Sequence, residues 1–180
     1  MKSRLSSAQI DKTGTEAIVL LFFSDERPLK GASGLIDWRM NGAISRLIAG
    51  GMIKGERGES ILMVPKSRIK AGKILMAGLG KSSELNKDAL SESAGALMKQ
   101  LVKIGVNKFS ISLPPEPLLP IKTRDAARAV VEGMISAAEK EKINHSKIFA
   151  TISMDSAFLQ EAKLELDKLN KELKGLETTR

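Results

Sequence analysis

The order of apolar segments predicts an α/β fold in three layers, with a mixed, mostly parallel central sheet and helices on both faces. Short, continuous apolar runs alternate with longer segments in which apolar residues recur every three or four positions. Continuous runs are typical of strands covered on both faces, and strand–helix alternation favours parallel pairing. With 180 residues, 42% of them hydrophobic, the chain can bury one core. We therefore expect residues 1–180 to form a single domain.

Six segments have the length and apolar content of strands. The first two are expected to be a hairpin-like pair, and the third, Ser60–Val64, reads as a buried strand closed by Pro65. The strongest is Ala17–Phe23, which is continuously apolar. The predicted strands cover residues 5–10, 17–23, 60–64, 73–77, 108–113 and 147–153.

Four segments show the apolar spacing of helices. The first runs as one helix from Ile36 to Ile48 and stops at Gly50-Gly51. Asn86 and Thr123 are predicted to cap the second and third helices. The four apolar faces span residues 36–48, 90–104, 127–138 and 159–176. Four prolines between residues 114 and 120 predict a stiff, extended connection.

Composition narrows the possible classes of function. The absence of cysteine excludes disulfides, thiol nucleophiles and cysteine-type zinc sites. The longest apolar run is strand-sized, well short of the ~18 residues of a membrane span, and the first residues do not resemble a signal peptide. We therefore expect a cytoplasmic protein with no membrane contact. The net charge of +8 is compatible with an ordinary basic surface or with binding to nucleic acid.

The sequence offers little support for catalysis. His145 is the single histidine and lies in a polar stretch, where a solvated side chain is the expected role. It lacks a second histidine or a cysteine to share a metal, and no Gly-x-Ser-x-Gly turn presents a nucleophile. The acidic residues of the last helix alternate with lysines, as on a solvated helix face. We predict no catalytic residue, no metal site and no cofactor.

Two glycine-bearing loops are the candidate ligand sites. Backbone N–H groups near a helix N-terminus attract anions, and glycine permits close approach of a phosphate. Neither loop is a Walker loop or a full Gly-x-Gly-x-x-Gly, so tight turns are the simpler interpretation. The candidate ligand-binding residues are Gly31, Ser33, Gly34, Gly78, Gly80, Lys81 and Ser82.

A basic stretch is the candidate nucleic-acid site. It contains Lys66, Arg68, Lys70 and Lys73 with no acidic residue among them. Single-strand binding normally also uses stacking aromatics, and this stretch has none. A solvated loop is the alternative. The last helix could likewise be a surface for self-association or for a protein partner, or it could cover the domain's own sheet.

Several motifs together resemble the N-terminal domain of the leucyl aminopeptidase family. They are Leu35-Ile-Asp-Trp-Arg-Met-Asn-Gly-Ala-Ile-Ser45, Ile53-Lys-Gly-Glu-Arg-Gly-Glu59, Met76-Ala-Gly-Leu-Gly-Lys81 and Val131-Glu-Gly-Met134. They occur in the family's order over about residues 17–134. The resemblance implies a macro-domain-like fold.

The resemblance also implies where chemistry is not expected. In the family, a separate C-terminal domain holds two metal ions and carries the signature Asn-Thr-Asp-Ala-Glu-Gly-Arg, which does not occur in these 180 residues. The expectation is therefore a non-catalytic binding or interaction module without peptidase activity. Two alternatives remain open, namely a nucleotide or ADP-ribose site at the glycine loops, and nucleic-acid binding through the basic surface.

Overall fold

The computed structural model describes residues 1–65 and 68–178, and within them six strands form one sheet. The spatial order is first, sixth, fifth, second, fourth and third strand. All neighbouring pairs among them are parallel except the pair formed by the third and fourth. The strands are β1 (Lys2–Ser6), β2 (Thr15–Phe22), β3 (Ser60–Met63), β4 (Ala71–Gly78), β5 (Lys108–Ser112) and β6 (Phe149–Ser153).

Helices cover both faces of this sheet, so the predicted three-layer α/β architecture is confirmed. One core joins the first two helices to alternate residues of β2, such as Ile18 and Leu20. The other joins the last three helices to the residues between them, such as Val19 and Leu21. The helices are α1 (Gly31–Arg39), α2 (Ala43–Ala49), α3 (Lys87–Lys103), α4 (Thr123–Lys140) and α5 (Leu159–Thr178). In the described residues, no helix is both long enough and apolar enough to cross a bilayer.

The prediction of a hairpin-like first pair is wrong. β1 pairs in parallel with β6, the last strand, and forms one edge of the sheet. It begins at Lys2, earlier than expected, and Ile10 starts a short 3-10 turn that leads into β2. Such pairing between the two ends of the chain leaves no local signal in the sequence.

The predicted first helix is two helices. Asn41 and Gly42 have φ of 56° and 72°, left-handed values that interrupt helix geometry between α1 and α2. The apolar period continues across the break because both helices pack on the same core, where Ile36, Met40 and Ile44 are buried.

The prediction that Ser60–Val64 is a buried strand is also wrong. β3 lies at the edge of the sheet, and Leu62 is 47% exposed.

The two predicted helix caps had different outcomes. The Asn86 side chain accepts a hydrogen bond from Ala89 N–H and caps α3, as predicted. Thr123 does not cap α4, because Lys122 occupies the N-cap position. The Thr123 hydroxyl instead donates to Glu116 Oε1 over 2.9 Å, so Glu116 ties the proline-rich loop to the start of α4.

The apolar stripe of α5 covers the domain itself as far as its side chains are described. Ala162, Leu166 and Leu169 are buried in the core shared with α3 and α4. Arg128 on α4 reinforces this contact, pairing with Glu165 at 3.0 Å and with Glu172 at 2.5 Å. The domain-covering interpretation is therefore confirmed for residues 159–173.

Candidate ligand-binding edge

The carboxyl ends of the five parallel strands lie at one edge of the sheet. From β2 the chain moves to β4 on one side and then returns to β5 on the other. Ligands of open α/β sheets bind outside the carboxyl ends of the strands, at such a reversal of strand order. The cleft found beside the reversal is therefore the leading candidate site.

This cleft has a volume of about 310 Å³ and is built from loops that are far apart in sequence. Ser112 ends β5, Ser153 ends β6, and Gly31 begins α1 after β2. The wall is largely apolar, and it also contains buried hydroxyl groups and exposed carboxylates. Its apolar residues include Ile10, Leu35, Leu113, Pro114, Pro115, Met154 and Phe158.

The start of α1 faces this cleft. Lys30 is the N-cap residue of α1 and has an extended backbone. Among the described residues, its side chain makes no capping hydrogen bond, so the first N–H groups of α1 receive no acceptor from it. Gly31 has φ of 54°, and a Cβ there would lie 3.1 Å from Pro115 Cδ. A larger residue would therefore meet both backbone strain and the proline wall.

The charges at the rim are negative. Glu116 accepts from Thr123, and Asp155 Oδ1 accepts from Ala157 N–H at 2.9 Å. None of the described lining residues is Lys or Arg. A helix N-terminus carries the equivalent of about half a positive charge. Because two carboxylates outweigh it, the rim favours neutral or cationic ligands over polyphosphates.

The first predicted glycine loop is only partly in this site. Gly31 and Ala32 line the cleft, whereas Ser33 is buried and donates to Leu21 O over 3.2 Å. Gly34 is needed for packing, since a Cβ there would lie 2.5 Å from Leu29 O. Ser33 and Gly34 therefore anchor α1 on the sheet, and only Gly31 of the predicted residues reaches the cleft.

The second predicted loop uses its N–H groups internally. Gly78 N–H donates to Glu59 O at 3.0 Å and Gly80 N–H to Gly55 O at 2.9 Å. Ser82 donates both its N–H and its hydroxyl to Asp25, which lowers the Asp25 pKa through these two bonds. These groups are thus not directed at a ligand.

Lys81 borders a separate, more open depression of about 500 Å³. Arg27 and Lys54 share that depression with Asp25 and Glu56. Arg27 is held by backbone oxygens, including Lys54 O at 3.0 Å. The structure therefore does not bring Lys81 together with Gly31.

The predicted basic stretch does not form one row. Lys66 lies outside the described residues. Ile69 is buried, with exposed Arg68 and Lys70 on either side of it. Lys73 pairs in register with Ala17, whose side chain belongs to the core of α3 and α4, so Lys73 faces that side of the sheet.

The single histidine has a partner within the protein. The sequence predicted a solvated side chain for His145, yet its Nδ1 lies 2.5 Å from the Met1 amino nitrogen.

Two carboxylates of the family-like motifs, those of Asp37 and Glu59, bind the protein's own backbone. Asp37 Oδ1 accepts from Ile44 N–H at 2.8 Å and Ser45 N–H at 3.1 Å, which caps α2 from the preceding helix. Glu59 Oε2 accepts from the N–H groups of residues 54, 55 and 56. These bonds, led by that from Lys54, hold the Glu59 pKa below its ordinary value. The hydrogen bonds of Asp37 and Glu59 therefore hold local turns and helix ends of the fold.

Gly133 of the last motif lies where two helices meet. A Cβ on Gly133 would be 2.0 Å from Ser91 O of α3, so α3 and α4 approach each other through this glycine.

Over residues 1–65 and 68–178, no three His, Asp or Glu side chains are grouped as metal ligands.

Sequence reasoning missed most of the cleft. It interpreted the prolines at 114 and 115 as a connection, although they form a wall of the site. Ser112 and Ser153 gave no signal, because a serine at the end of a strand is common. Their position at the carboxyl ends of neighbouring strands was the usable clue.

The chain is similar in sequence to cytosol aminopeptidases and in fold to macrodomains. A relative from Pseudomonas syringae pv. tomato, a probable cytosol aminopeptidase, is 32% identical over 121 residues, covering 66% of this chain and 24% of the relative. A tomato leucine aminopeptidase mutant matches in structure with a TM-score of 0.66 at 11% identity, covering 92% of this chain and 35% of that one. A Trypanosoma brucei macrodomain in complex with ADP-ribose matches with a TM-score of 0.70 at 14% identity, covering 89% and 66%.

These matches define the fold and the extent of the similarity. The macrodomain-like fold is shown, and the chain spans about a quarter to a third of the length of the aminopeptidases it resembles. The model of the cytosol aminopeptidase family's N-terminal domain matches residues 18–147. The chain therefore belongs to the cytosol aminopeptidase family, by its N-terminal domain.

Proposed function

We propose that this chain is a non-catalytic binding module, without peptidase activity of its own, that holds a small ligand in the cleft at the carboxyl edge of the sheet. The carrying observation is the position of that cleft beside the strand-order reversal, next to the start of α1. The matched region, which is the family's N-terminal domain, supports the non-catalytic part of the proposal.

The lining supports a neutral ligand with an apolar portion. A volume of about 310 Å³ lies at the small end of ligand pockets. Leu35, Leu113 and Phe158 supply apolar contacts, while Ser112 and Ser153 supply hydroxyl groups. Glu116 and Asp155 disfavour a diphosphate. A nucleoside has the right size and charge and is a practical probe.

A nucleotide of the ADP-ribose type is the second candidate. Two observations favour it: the uncapped start of α1 at Gly31, and the fold shared with a macrodomain solved with ADP-ribose. The carboxylates at the rim oppose it. Comparing adenosine with ADP-ribose therefore decides between the two ligand classes.

Isothermal titration calorimetry of the full chain with adenosine and with ADP-ribose tests the cleft. We expect heat with adenosine and a weaker signal, or none, with ADP-ribose. Leu35→Trp fills the cleft and is expected to abolish binding, whereas Leu164→Trp makes the same exchange on exposed α5 and is the matched control. Tighter binding of ADP-ribose would reject the neutral-ligand proposal in favour of the second candidate. If neither probe gives heat, the small-ligand proposal fails.

A peptidase assay tests the non-catalytic part separately. Pure protein is incubated with leucyl-p-nitroanilide and either Mn²⁺ or Zn²⁺, and p-nitroaniline release is followed. We expect no release above the rate with metal alone. Turnover that co-purifies with the chain and disappears on chelation would overturn this part of the proposal.

A further inference from the structure

Two lysines and a phenylalanine at the amino ends of three strands form a row of side chains that is distinct from the cleft. Lys2, Phe149 and Lys108 are register partners on β1, β6 and β5. Their neighbours Phe109 and Ala150 point into the core under α3, α4 and α5, so the row faces the opposite side. Three side chains from three strands thus stand side by side on one face.

This part of the face is not covered by the α1–α2 layer. Within the described chain, the buried core under those helices draws its strand residues from β2 and β4 alone. Phe149 is 46% exposed, and both lysines are exposed. Two residues further along β5 and β6, Ser110 and Thr151 are buried, so on these two strands the open area is confined to the amino end.

The charges around Phe149 are mostly positive. Lys2 Nζ lies 5.5 Å from the centre of the Phe149 ring. Arg4, one row higher, donates through Nε to Thr151 Oγ1 at 2.9 Å and remains exposed. Glu16, next to Lys108 on β2, directs Oε2 at the N–H groups of Asn107 and Lys108. Its carboxylate is thus oriented towards backbone.

We propose that this surface, made of Lys2, Arg4, Lys108 and Phe149, binds single-stranded nucleic acid. Single strands are bound by cations that contact phosphates and by exposed rings on which bases stack. An exposed cation–π contact is weaker than base–aromatic stacking, so a base displaces Lys2 from the ring and leaves it for a phosphate. The net charge of +8 draws the strand in. This proposal does not depend on the cleft or its ligand.

Fluorescence anisotropy of the full chain with labelled dT₁₂, U₁₂ and a 12-base-pair duplex tests the surface at 50 and 200 mM KCl. We expect both single strands to bind more tightly than the duplex. Three phosphate contacts predict an affinity that falls about twentyfold across this salt range. Comparing dT₁₂ with U₁₂ tells whether DNA or RNA is preferred. Absence of single-strand binding at 50 mM KCl would overturn the proposal.

Paired charge variants locate the surface. Lys2→Gln with Lys108→Gln removes two phosphate contacts, so we expect the salt slope to fall by about 1.4. Lys140→Gln with Lys163→Gln removes the same charge from the opposite layer, and Arg68→Gln with Lys70→Gln removes it from the stretch singled out in the sequence. An equal loss in either of these pairs would contradict the assignment.

The ring is tested without changing charge. Phe149→Leu keeps an apolar side chain but removes stacking, so single-strand affinity is expected to fall about fivefold or more. Phe149→Trp is expected to retain it. Thermal unfolding of each variant confirms that it folds. Equal affinity for heparin and single strands, unchanged in Phe149→Leu, would show general polyanion binding and reject the proposal.

Discussion

At the residue scale, two acids of the family-like motifs, Asp37 and Glu59, act as local backbone acceptors. Asp37 lies in α1 yet bonds to two N–H groups of α2, across the left-handed break at Asn41 and Gly42. The Ser45 hydroxyl adds a 2.5 Å bond to the other oxygen of Asp37. One carboxylate therefore fixes the angle between two helices, and this explains the motif without a ligand.

Asp37→Ala is expected to destabilise the protein by about 1–3 kcal/mol, because Ile44 N–H is buried and loses its acceptor. Urea unfolding at neutral pH measures the change. Asp37→Asn keeps one acceptor oxygen and should lose less. Asp167→Ala, an exposed acid on α5, is the control and should stay within about 0.5 kcal/mol of wild type. A tolerated Asp37→Ala would show that this cap is dispensable.

At the element scale, α3 and α4 are packed closely through small residues. Gly133 meets Ser91 O, and a Cβ on Gly95 would lie 3.1 Å from Gly133 O. Glycine in a helix interior costs up to about 1 kcal/mol relative to alanine. Its presence in α4 is thus explained by the approach of the neighbouring helix.

Gly133→Ala is expected to destabilise the protein although alanine is the better helix former. Its Cβ would lie 2.0 Å from a backbone oxygen, so the helices must separate. Overpacking costs about 1–3 kcal/mol, which exceeds the propensity gain. Chemical denaturation measures the balance. Ser136→Ala, exposed on the same helix, should be neutral or slightly stabilising. A gain in stability for Gly133→Ala would refute this account of the helix contact.

The sequence predicted elements better than their pairing. Apolar spacing located α3, α4 and α5 because each helix has one continuous apolar face. It located the central β2 because this strand is apolar on both faces. It joined α1 to α2 because the break at Asn41 and Gly42 preserves that face. It misplaced β1 because this edge strand, Lys2–Ser6, contains few apolar residues. Its partner strand, which begins at Phe149, lies at the other end of the chain.

At the scale of the whole molecule, the candidate site depends on topology. The cleft collects residues from loops after β5 and β6 and from the start of α1, which no sequence motif connects. The glycine signal was partly informative: Gly31 reaches the cleft, whereas Gly78 and Gly80 bind internal oxygens. Chain reversal between β2 and β5 determines the site, and that reversal is known only once the strand order is known.

Acid sensitivity is also a property of the whole molecule. Hydrogen bonds from backbone N–H groups, from the Ser82 hydroxyl or from basic side chains lower the pKa of five carboxylates. The unfolded chain therefore binds more protons than the folded one below about pH 4.5. Their stabilisation is present above that pH and is lost as pH falls through the folded values. Burial raises the pKa of Glu26. Between pH 4.5 and that raised pKa, Glu26 therefore opposes the loss of stability caused by the other five groups. The five are Glu16, Asp25, Glu59, Glu141 and Glu165.

We therefore expect the free energy of unfolding to fall between pH 5 and pH 3.5, because five groups outnumber one and the rising positive charge adds repulsion. Urea unfolding at pH 7, 5 and 3.5 gives the profile. Glu59→Gln loses the charge that three N–H groups favour, so its deficit relative to wild type should be largest at pH 7 and shrink at pH 3.5. Glu56→Gln, exposed in the same turn, should follow the wild-type profile. A Glu59→Gln deficit that is equal at all three pH values would mean that the turn depends on side-chain shape, and that charge at Glu59 contributes nothing to acid sensitivity.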